Sequence, residues 1–456
     1  RDYMDNVYFI GIGGIGMSAI ARYYKHAGKN VSGYDRTCTK LTQALENEGI
    51  QVHYQDDPSL IPINKEKTLV IYTPAVPETL GEMQYVRENG YWMVKRSKAL
   101  GEIARECTTL AVAGTHGKTT TSTLLGHIYT NSGAGCSAFL GGISKNYHTN
   151  LLLSHSNYLV AEADEFDRSF LQLYPNAAII TSTDADHLDI YGTKEAYLES
   201  FRHYTTLIQP GGALIIHEGL EMQPDVQESV RTYTYSVEHG DFHAENIKIE
   251  NGEITFDFIS PIESITGINL GQPVPINIDN GIAAMAMAQL NGCTADEIRY
   301  GMMTYKGVDR RFDFRIRNAK HVLLSDYAHH PKEIYQSAKS MREVYKGRHI
   351  TAIFQPHLYT RTRDFYKEFA DALSQLDEVI LTEIYPAREL PIEGVTSKLI
   401  YDNLREGIEK SIINKKDVLD LVKQRDFDVL IILGAGDLDN YMPEIAAIIE
   451  NKERQS

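Results

Sequence analysis

The sequence predicts an α/β protein of three domains, and three observations predict it. Near the N-terminus an apolar strand, Val7 to Ile10, runs into the turn Gly11-Ile-Gly13-Gly14-Ile15-Gly16 and then a helical run. The same strand–turn–helix order recurs around Gly114-Thr-His-Gly-Lys-Thr119. From about Phe314 onward, strand and helix patterns alternate to the C-terminus. Alternation of this kind builds largely parallel sheets covered by helices. A chain of 456 residues, 43% of them hydrophobic, has room for about two to four domains with real cores. The expected divisions are residues 1–106, 107–313 and 314–456.

Composition narrows the class of function. Lys and Arg number 45 against 61 Asp and Glu, a net charge of −16. An acidic chain without basic blocks argues against nucleic-acid binding, while leaving room for a local basic pocket. Cys38, Cys107, Cys136 and Cys293 are far apart and form no CxxC pair, so neither a zinc site nor a disulfide frame is suggested. That usage suits a reducing cytoplasm. No apolar run has the length of a membrane span, and no leader-like stretch opens the sequence, so no membrane insertion is expected.

In the first block, the helix after the glycine turn runs to His26, with Gly28 placed to end it, and a second strand, Val31 to Tyr34, ends at Asp35. Gly11, Gly13, Gly14 and Gly16 would let backbone approach a diphosphate at the helix N-terminus, with Asp35 accepting from a ribose hydroxyl. The pattern does not choose between a dinucleotide and a nucleotide diphosphate. A third strand, Thr68 to Tyr72, delivers Thr73-Pro-Ala-Val-Pro77 to the same sheet edge.

The second block has the layout of a phosphate-binding loop: strand Leu110 to Ala113, the glycine turn, then a helix from Thr119 to Asn131. Backbone N–H groups would hold phosphates, Lys118 would neutralise them, and Thr119 would offer its hydroxyl to Mg²⁺. The standard motif has a glycine where Val112 stands. A chance glycine turn is the plainer alternative, but the strand–helix junction argues against it. The next strands, Tyr158 to Ala161 and Ala177 to Thr181, deliver Glu162-Ala-Asp164-Glu-Phe-Asp167 and Asp184-Ala-Asp-His187-Leu-Asp189. In open α/β sheets ligands sit at the carboxyl ends of strands, so these groups are expected to converge rather than be merely solvated acids. Residues 232–259 alternate around Asn251-Gly252 and read as a β insertion. Asn277 to Gln289 reads as a close-packed helix of small residues.

The third block predicts Val322 to Ser325, Pro331 to Tyr345, His349 to Phe354, Phe365 to Leu376, Glu378 to Thr382 and Val429 to Leu433 as alternating strands and helices, with Pro331 suited to a first helical position. Its strand ends carry Asp326-Tyr327-Ala-His329-His-Pro331, Gln355-Pro-His357-Leu-Tyr-Thr-Arg361-Thr-Arg363 and Gly434-Ala-Gly436-Asp437. Arginines so placed suit a carboxylate or a phosphate.

Taken together, these motifs, with Ala161-Glu-Ala-Asp-Glu165, Asp186-His-Leu-Asp189 and Arg310-Arg-Phe312, resemble the Mur ligase family across essentially the whole chain. The resemblance implies an N-terminal Rossmann-like UDP-binding domain, a central P-loop-type ATP-binding domain with a β insertion, and a C-terminal Rossmann-like domain. It implies an ATP- and Mg²⁺-dependent amide synthesis, with Mn²⁺ able to substitute. The lactyl carboxylate of UDP-N-acetylmuramate takes the γ-phosphoryl group, and the amine of L-alanine attacks the acyl phosphate. By this likeness Gly11, Gly13, Gly14, Ile15, Gly16, Asp35 and Thr73 line the uridine diphosphate pocket. Gly114, Thr115, His116, Gly117, Lys118, Thr119, Thr120, Asn280, Arg311 and Asp326 serve ATP, and Thr119, Glu162 and His187 hold metal. Tyr327, His329, His357 and Arg361 lie on the muramoyl and alanine side, and Lys118, Glu162, His187, His329 and Arg361 carry the chemistry.

Departures from the family pattern are Ile276 for a histidine, Ser182 for an asparagine, Leu358 for an arginine, and Thr73-Pro-Ala-Val for Ser-Ser-Ala-Ile. No lysine stands near Ser200 and Phe201, so no carbamylated lysine is expected. Three other readings remain. A peptide-recycling ligase would join a tripeptide to the same sugar nucleotide, although the first glycine loop and Gly434-Ala-Gly-Asp437 favour the alanine-adding branch. An NAD-dependent oxidoreductase would use the first block alone, and a mechanical P-loop ATPase would need the full Walker A motif that this sequence lacks. Monomer and dimer stay open.

Overall fold

The computed structural model describes residues 4–184 and 191–456, and of Phe166 and Asp167 only the backbone. Three α/β sheets follow one another along the chain. The first holds β1 (Asn6–Ile10), β2 (Asn30–Tyr34), β3 (Gln51–His53), β4 (Thr68–Tyr72) and β5 (Trp92–Lys95), all parallel, in the order β3-β2-β1-β4-β5. Helix α1 (Ile15–His26) follows the glycine turn, and Gly28, at φ +89°, lies just beyond its end. Helices α2 (Lys40–Asn47), α3 (Gly81–Glu88) and α4 (Arg96–Ala104) complete this unit.

The second sheet contains β6 (Thr108–Ala113), β7 (Ser137–Phe139), β8 (Leu151–Leu152), β9 (Tyr158–Glu162), β10 (Ala177–Ile180), β11 (Ala213–His217) and β12 (Arg231–Tyr235), in the order β12-β11-β10-β6-β9-β7-β8. Only β8 runs antiparallel. The placement of β12 corrects one expectation: residues 231–235 extend the central sheet, parallel to β11, and are not part of the insertion. The insertion is β13 (His243–Glu250), β14 (Glu253–Ile259) and a third strand, β15 (Ile265–Asn269), that the alternation did not reveal. Its hairpin turns at Asn251-Gly252, with φ +53° and +75°, the left-handed pair that a two-residue hairpin loop requires.

β6 is buried on both faces. Leu110 and Val112 join a core with α5 (Lys118–Thr130) and α7 (Ile276–Leu290), numbered after α6 (Lys194–Thr206), while Ala111 and Ala113 join a core that continues into the first domain through Val7, Phe9 and Met17. Burial on both faces is why the strand reads as one apolar run rather than an alternation.

The third sheet has the order β16-β17-β21-β18-β19-β20, from β16 (Asp313–Arg317), β17 (Val322–Asp326), β18 (Ile350–Phe354), β19 (Glu378–Leu381), β20 (Glu409–Ile412) and β21 (Val429–Leu433). It is parallel except for β16, an unpredicted edge strand. Helix α8 (Ala295–Thr304) precedes it, and α9 (Pro331–Val344) begins at the expected proline. Helix α10 spans Tyr359–Leu373, so Arg361 and Arg363 lie in its first turns, not in a loop. The helix starts early because Glu389, from a distant loop, accepts from the backbone N–H groups of Tyr359 (2.6 Å) and Thr360 (3.1 Å). Between the second and third sheets the chain passes through Arg310 (φ +64°) and Phe312 (φ +45°), and a buried ion pair of Lys145 with Asp313 pins the start of β16. Among the described residues no helix is long and apolar enough to cross a membrane.

Candidate active site

The register of the central sheet brings the predicted groups together. Glu162 at the end of β9 lies opposite Val112, and Ile180 at the end of β10 lies opposite Ala113. The phosphate loop leaves β6 between them. Gly114 and Gly117 have φ +136° and +81°, which L side chains rarely adopt. A Cβ at Gly114 would lie 1.9 Å from Thr181 Oγ1, and one at Gly117 2.7 Å from Asn280 Oδ1. Ser182 braces the loop: its carbonyl accepts from Thr115 N (3.1 Å) and its Oγ from His116 N (2.9 Å). Ser182 therefore anchors the turn with both its carbonyl and its hydroxyl. Helix α5 has no side-chain cap at its N-terminus, which leaves its first N–H groups for an anion. The uncapped helix, the tight glycine cradle and Lys118 fit a polyphosphate. Gly114→Ala is expected to cost on the order of 3 kcal/mol and to abolish nucleotide binding, since neither the conformation nor the space admits a methyl group. Thermal melts and calorimetry with a non-hydrolysable ATP analogue check this.

Lys118 Nζ donates to both oxygens of the buried Glu165 (3.1 and 2.9 Å) and to Gly114 O (3.2 Å). All three ammonium protons are thus engaged. Thr119 Oγ1 donates to the carboxylate of Glu162 (3.0 and 3.1 Å). Burial holds the Glu162 carboxyl above its ordinary range, and Thr119, Lys118 and Arg311 pull against that shift. Gly141 keeps space open there, because a Cβ on it would sit 2.1 Å from Glu162 Oε2. A hydroxyl beside a carboxylate is an oxygen donor set suited to Mg²⁺. Thr120 is half-buried on the first turn of α5, and His116 is exposed, 3.5 Å from Asp184. His187, the third expected metal ligand, lies outside the described residues.

In the first domain α1 also starts without a side-chain cap, at Gly14, with Ile15 73% exposed at the mouth. Asp35 Oδ2 accepts from Gly13 N at 2.7 Å, so in this state the acid shapes the glycine loop itself. Thr73 packs on Gly11, where a Cβ would meet its Cγ2 at 2.6 Å. Arg96, at the start of α4, brings its guanidinium within 3.1 Å of the Cβ position of Gly16. No motif pointed to this arginine; only the folding of α4 against the loop reveals a cation there.

Asp326 ends β17 buried, with its carboxylate accepting from Ser337 Oγ and from Ala328 N (3.2 Å). It thus braces the loop that carries Tyr327 and His329. Burial pushes its pKa from 3.8 up to about 7. Because the folded state holds this proton and the unfolded chain releases it, stability is expected to rise as pH falls through 7 and to level off near 4. The wild type should therefore gain on Asp326→Asn in melting temperature between pH 8 and pH 5. The guanidinium of Arg310 lies over the Tyr327 ring (5.2 Å), and Arg311 pulls electrostatically on both Glu162 and Asp326, linking second and third sheets. His329 stands near His357 (6.2 Å between rings). His357 stacks on Tyr385 and accepts from Arg361 Nη1 at 2.9 Å. Burial, Arg361 and His329 lower the pKa of His357. Arg363 stays outside, paired with Asp364 in solvent. Gly434 and Gly436 pack on Gln355, which also bonds Asp437 (2.9 Å), so Gly434-Ala-Gly-Asp437 is a structural clasp. Ile276 is exposed at the start of α7, and Leu358 sits at φ +72° ahead of α10.

Three α/β domains, a phosphate loop flanked by acids and a histidine- and arginine-bearing third sheet define a nucleotide-dependent ligase. The models of the Mur ligase family, catalytic domain, the Mur ligase middle domain and the Mur ligase, glutamate ligase domain match residues 6–108, 112–288 and 310–436. The chain is 62% identical over 453 residues to the UDP-N-acetylmuramate–L-alanine ligase of Phocaeicola vulgatus, covering 98% of this chain and 99% of that protein. It is 53% identical over 443 residues to the same enzyme of Porphyromonas gingivalis (96% and 97% covered). A crystal structure of the UDP-N-acetylmuramate–alanine ligase of Thermotoga maritima superposes with TM-score 0.74 at 26% identity, over 99% of this chain and 100% of that one. The chain belongs to the Mur ligase family.

Proposed function

We propose that the protein joins L-alanine to the lactyl carboxylate of UDP-N-acetylmuramate with hydrolysis of ATP to ADP, a step of peptidoglycan precursor synthesis, in the cytoplasm. One observation carries the reading: similarity to curated alanine-adding ligases extends over all three sheets, each of which presents polar strand ends of its own. The uncapped start of α1, with Asp35, Thr73 and Arg96 beside it, takes the uridine diphosphate. The phosphate loop from Gly114 to Thr120, with Asn280, Arg311 and the Asp326 loop, takes ATP. Thr119 and Glu162, joined by His187, hold Mg²⁺, with Mn²⁺ able to substitute. When bound, the ion screens the repulsion between the γ-phosphate and the carboxylate that receives it.

Lys118 aligns the phosphates for transfer, a reaction that asks chiefly for positioning and charge neutralisation. The acyl phosphate is then open to the amine of alanine. Burial and Arg361 lower the pKa of His357, and its Nδ1 accepts from Arg361, so the neutral ring carries its proton on Nε2, a donor left for the substrate. Arg361, in the first turn of α10, offers its remaining donors to a carboxylate.

A phosphate-release assay with ATP, Mg²⁺ and UDP-N-acetylmuramate, varying the amine, tests the reading. Release that depends on free L-alanine is expected. Release that requires a preformed tripeptide, or tight NADH binding with no response to the sugar nucleotide, would overturn it.

A further inference from the structure

Gln272 carries no assigned role, yet its buried carboxamide sits at the junction of two domains. Its Nε2 donates to the backbone carbonyls of Arg311 (3.2 Å) and Phe312 (2.8 Å). Its Oε1 accepts from Asn277 Nδ2 at 2.8 Å. Asn277 Oδ1 in turn accepts from Asn280 Nδ2 at 3.3 Å. Asn280 Oδ1 lies against Gly117, at 2.7 Å from its Cβ position, and 3.5 Å from Thr121 Oγ1. A row of three buried amides therefore runs from the phosphate loop to the segment that leads into the third sheet. Its polarity is set at one end: two carbonyls need donors, so Nε2 must face them, and each amide behind it is oriented by the one before.

The far end of the row is a segment under conformational constraint. Arg310 and Phe312, on either side of Arg311, both have positive φ, a conformation that is unfavourable for non-glycine residues unless the surroundings hold it. Gln272 holds two of the segment's carbonyls from the central-domain side, between the backbone bond of Asp309 N to Ile143 O (2.9 Å) before it and the Lys145–Asp313 ion pair after it. Space is reserved for the clasp, since a Cβ on Gly307 would lie 2.4 Å from Nε2. Pro273 and Pro275 stiffen the backbone that presents Gln272.

We infer that Gln272 is a positioning residue: it keeps the Arg310–Phe312 segment in its left-handed path, presents Arg311 to Glu162 and Asp326, and couples the occupancy of the phosphate loop to the placement of the third domain. The inference rests on the proposed ATP site. A nucleotide that moves Gly117 presses on Asn280 and, through Asn277 and Gln272, on the two linker carbonyls. The coupling is reciprocal, so a fixed linker also favours the bound form of the loop.

Two variants separate the parts. Gln272→Leu removes donors and acceptor, while Gln272→Glu keeps the acceptor for Asn277 and loses both donors to the linker. Both are expected to lower kcat/KM for ATP by about tenfold. Calorimetric affinity for UDP-N-acetylmuramate, the check on folding, should be unchanged. On an Arg311→Ala background, Gln272→Leu should add no further loss. Hydrogen exchange with the Mg²⁺ complex of a non-hydrolysable ATP analogue, without sugar nucleotide or alanine, gives a readout independent of turnover. In the wild type the nucleotide should slow exchange across residues 306–316, and in Gln272→Leu that protection should disappear. Nucleotide-dependent protection that survives in Gln272→Leu, or independent losses with Arg311→Ala, overturns the inference. Nucleotide binding without protection in the wild type overturns it alone, whereas absence of nucleotide binding overturns the proposed ATP site with it.

Discussion

Replacing Lys118 with alanine is expected to lower turnover by at least about 10²–10³-fold, the loss seen when one preorganised donor to a developing charge is removed, while UDP-N-acetylmuramate still binds. The two halves of this expectation come from separate sheets. Lys118 opens α5 on the central sheet, whereas the uncapped start of α1 lies on the first. The substitution also takes the Lys118 ammonium away from Glu165, whose side chain is 1% exposed. Breaking a buried pair by removing one partner costs about 3–5 kcal/mol, and Lys118 is itself only partly exposed, so a lowered melting temperature should accompany the lost activity. Lys118→Ala combined with Glu165→Gln should recover much of that stability and none of the turnover. Calorimetry with the sugar nucleotide and turnover on the same preparation decide the matter; normal turnover in the alanine variant would take the phosphate loop out of the mechanism.

The parts of the fold that were legible in the sequence are those whose signal is local. β17 and β21 are buried on both faces and read as short continuous apolar runs, and Pro331 marked the first turn of α9. β12 was assigned to the insertion because the period of Arg231–Tyr235 announces a strand but not its partner, which tertiary packing chooses. β16 carries Asp313, Arg315 and Arg317 among two apolar residues, and a charged edge strand resembles a loop. The start of α10 was missed because its cap, Glu389, comes from elsewhere in the chain, and Leu358 ahead of it offers no capping side chain. The site divides the same way. Lys118, Thr119 and Glu162 follow strands and could be placed from strand ends alone. Arg96 and Gln272 belong to no motif, and their relation to the loops exists only once α4 and the interdomain segment have packed. Asp35 and Asp326 stood at predicted strand ends, but their carboxylates are turned onto backbone, Asp35 onto Gly13 N of the neighbouring glycine loop and Asp326 onto Ala328 N of its own loop.

Glu162→Gln is expected to raise the Mg²⁺ concentration for half-maximal activity by at least about tenfold, the lower end of what disturbing a metal's protein ligation costs, and to depress turnover at saturating metal. The geometry that motivates this is specific. Glu162 ends β9 beside the phosphate loop, both of its oxygens receive Thr119 Oγ1, and Gly141 leaves the space beside its carboxylate clear. Glutamine preserves the size of the side chain and one acceptor for Thr119, so a purely structural role predicts a nearly unchanged metal curve. The pH dependence separates the two roles further. Burial raises the Glu162 pKa, and a metal binds the ionised form, so a proton must leave before the ion enters. In the wild type the apparent Mg²⁺ affinity should therefore weaken as pH falls toward that raised pKa. The part of the dependence owed to this carboxylate should vanish in Glu162→Gln, where no proton is exchanged at that position. Stability runs the opposite way: a carboxyl with a raised folded-state pKa is most favourable to the fold at low pH and loses that contribution as pH rises through its pKa. Glu162→Gln should thus melt at a temperature less sensitive to pH than the wild type, while needing more metal at every pH. A variant that melts like the wild type across the pH range and keeps its metal curve would remove Glu162 from the metal site.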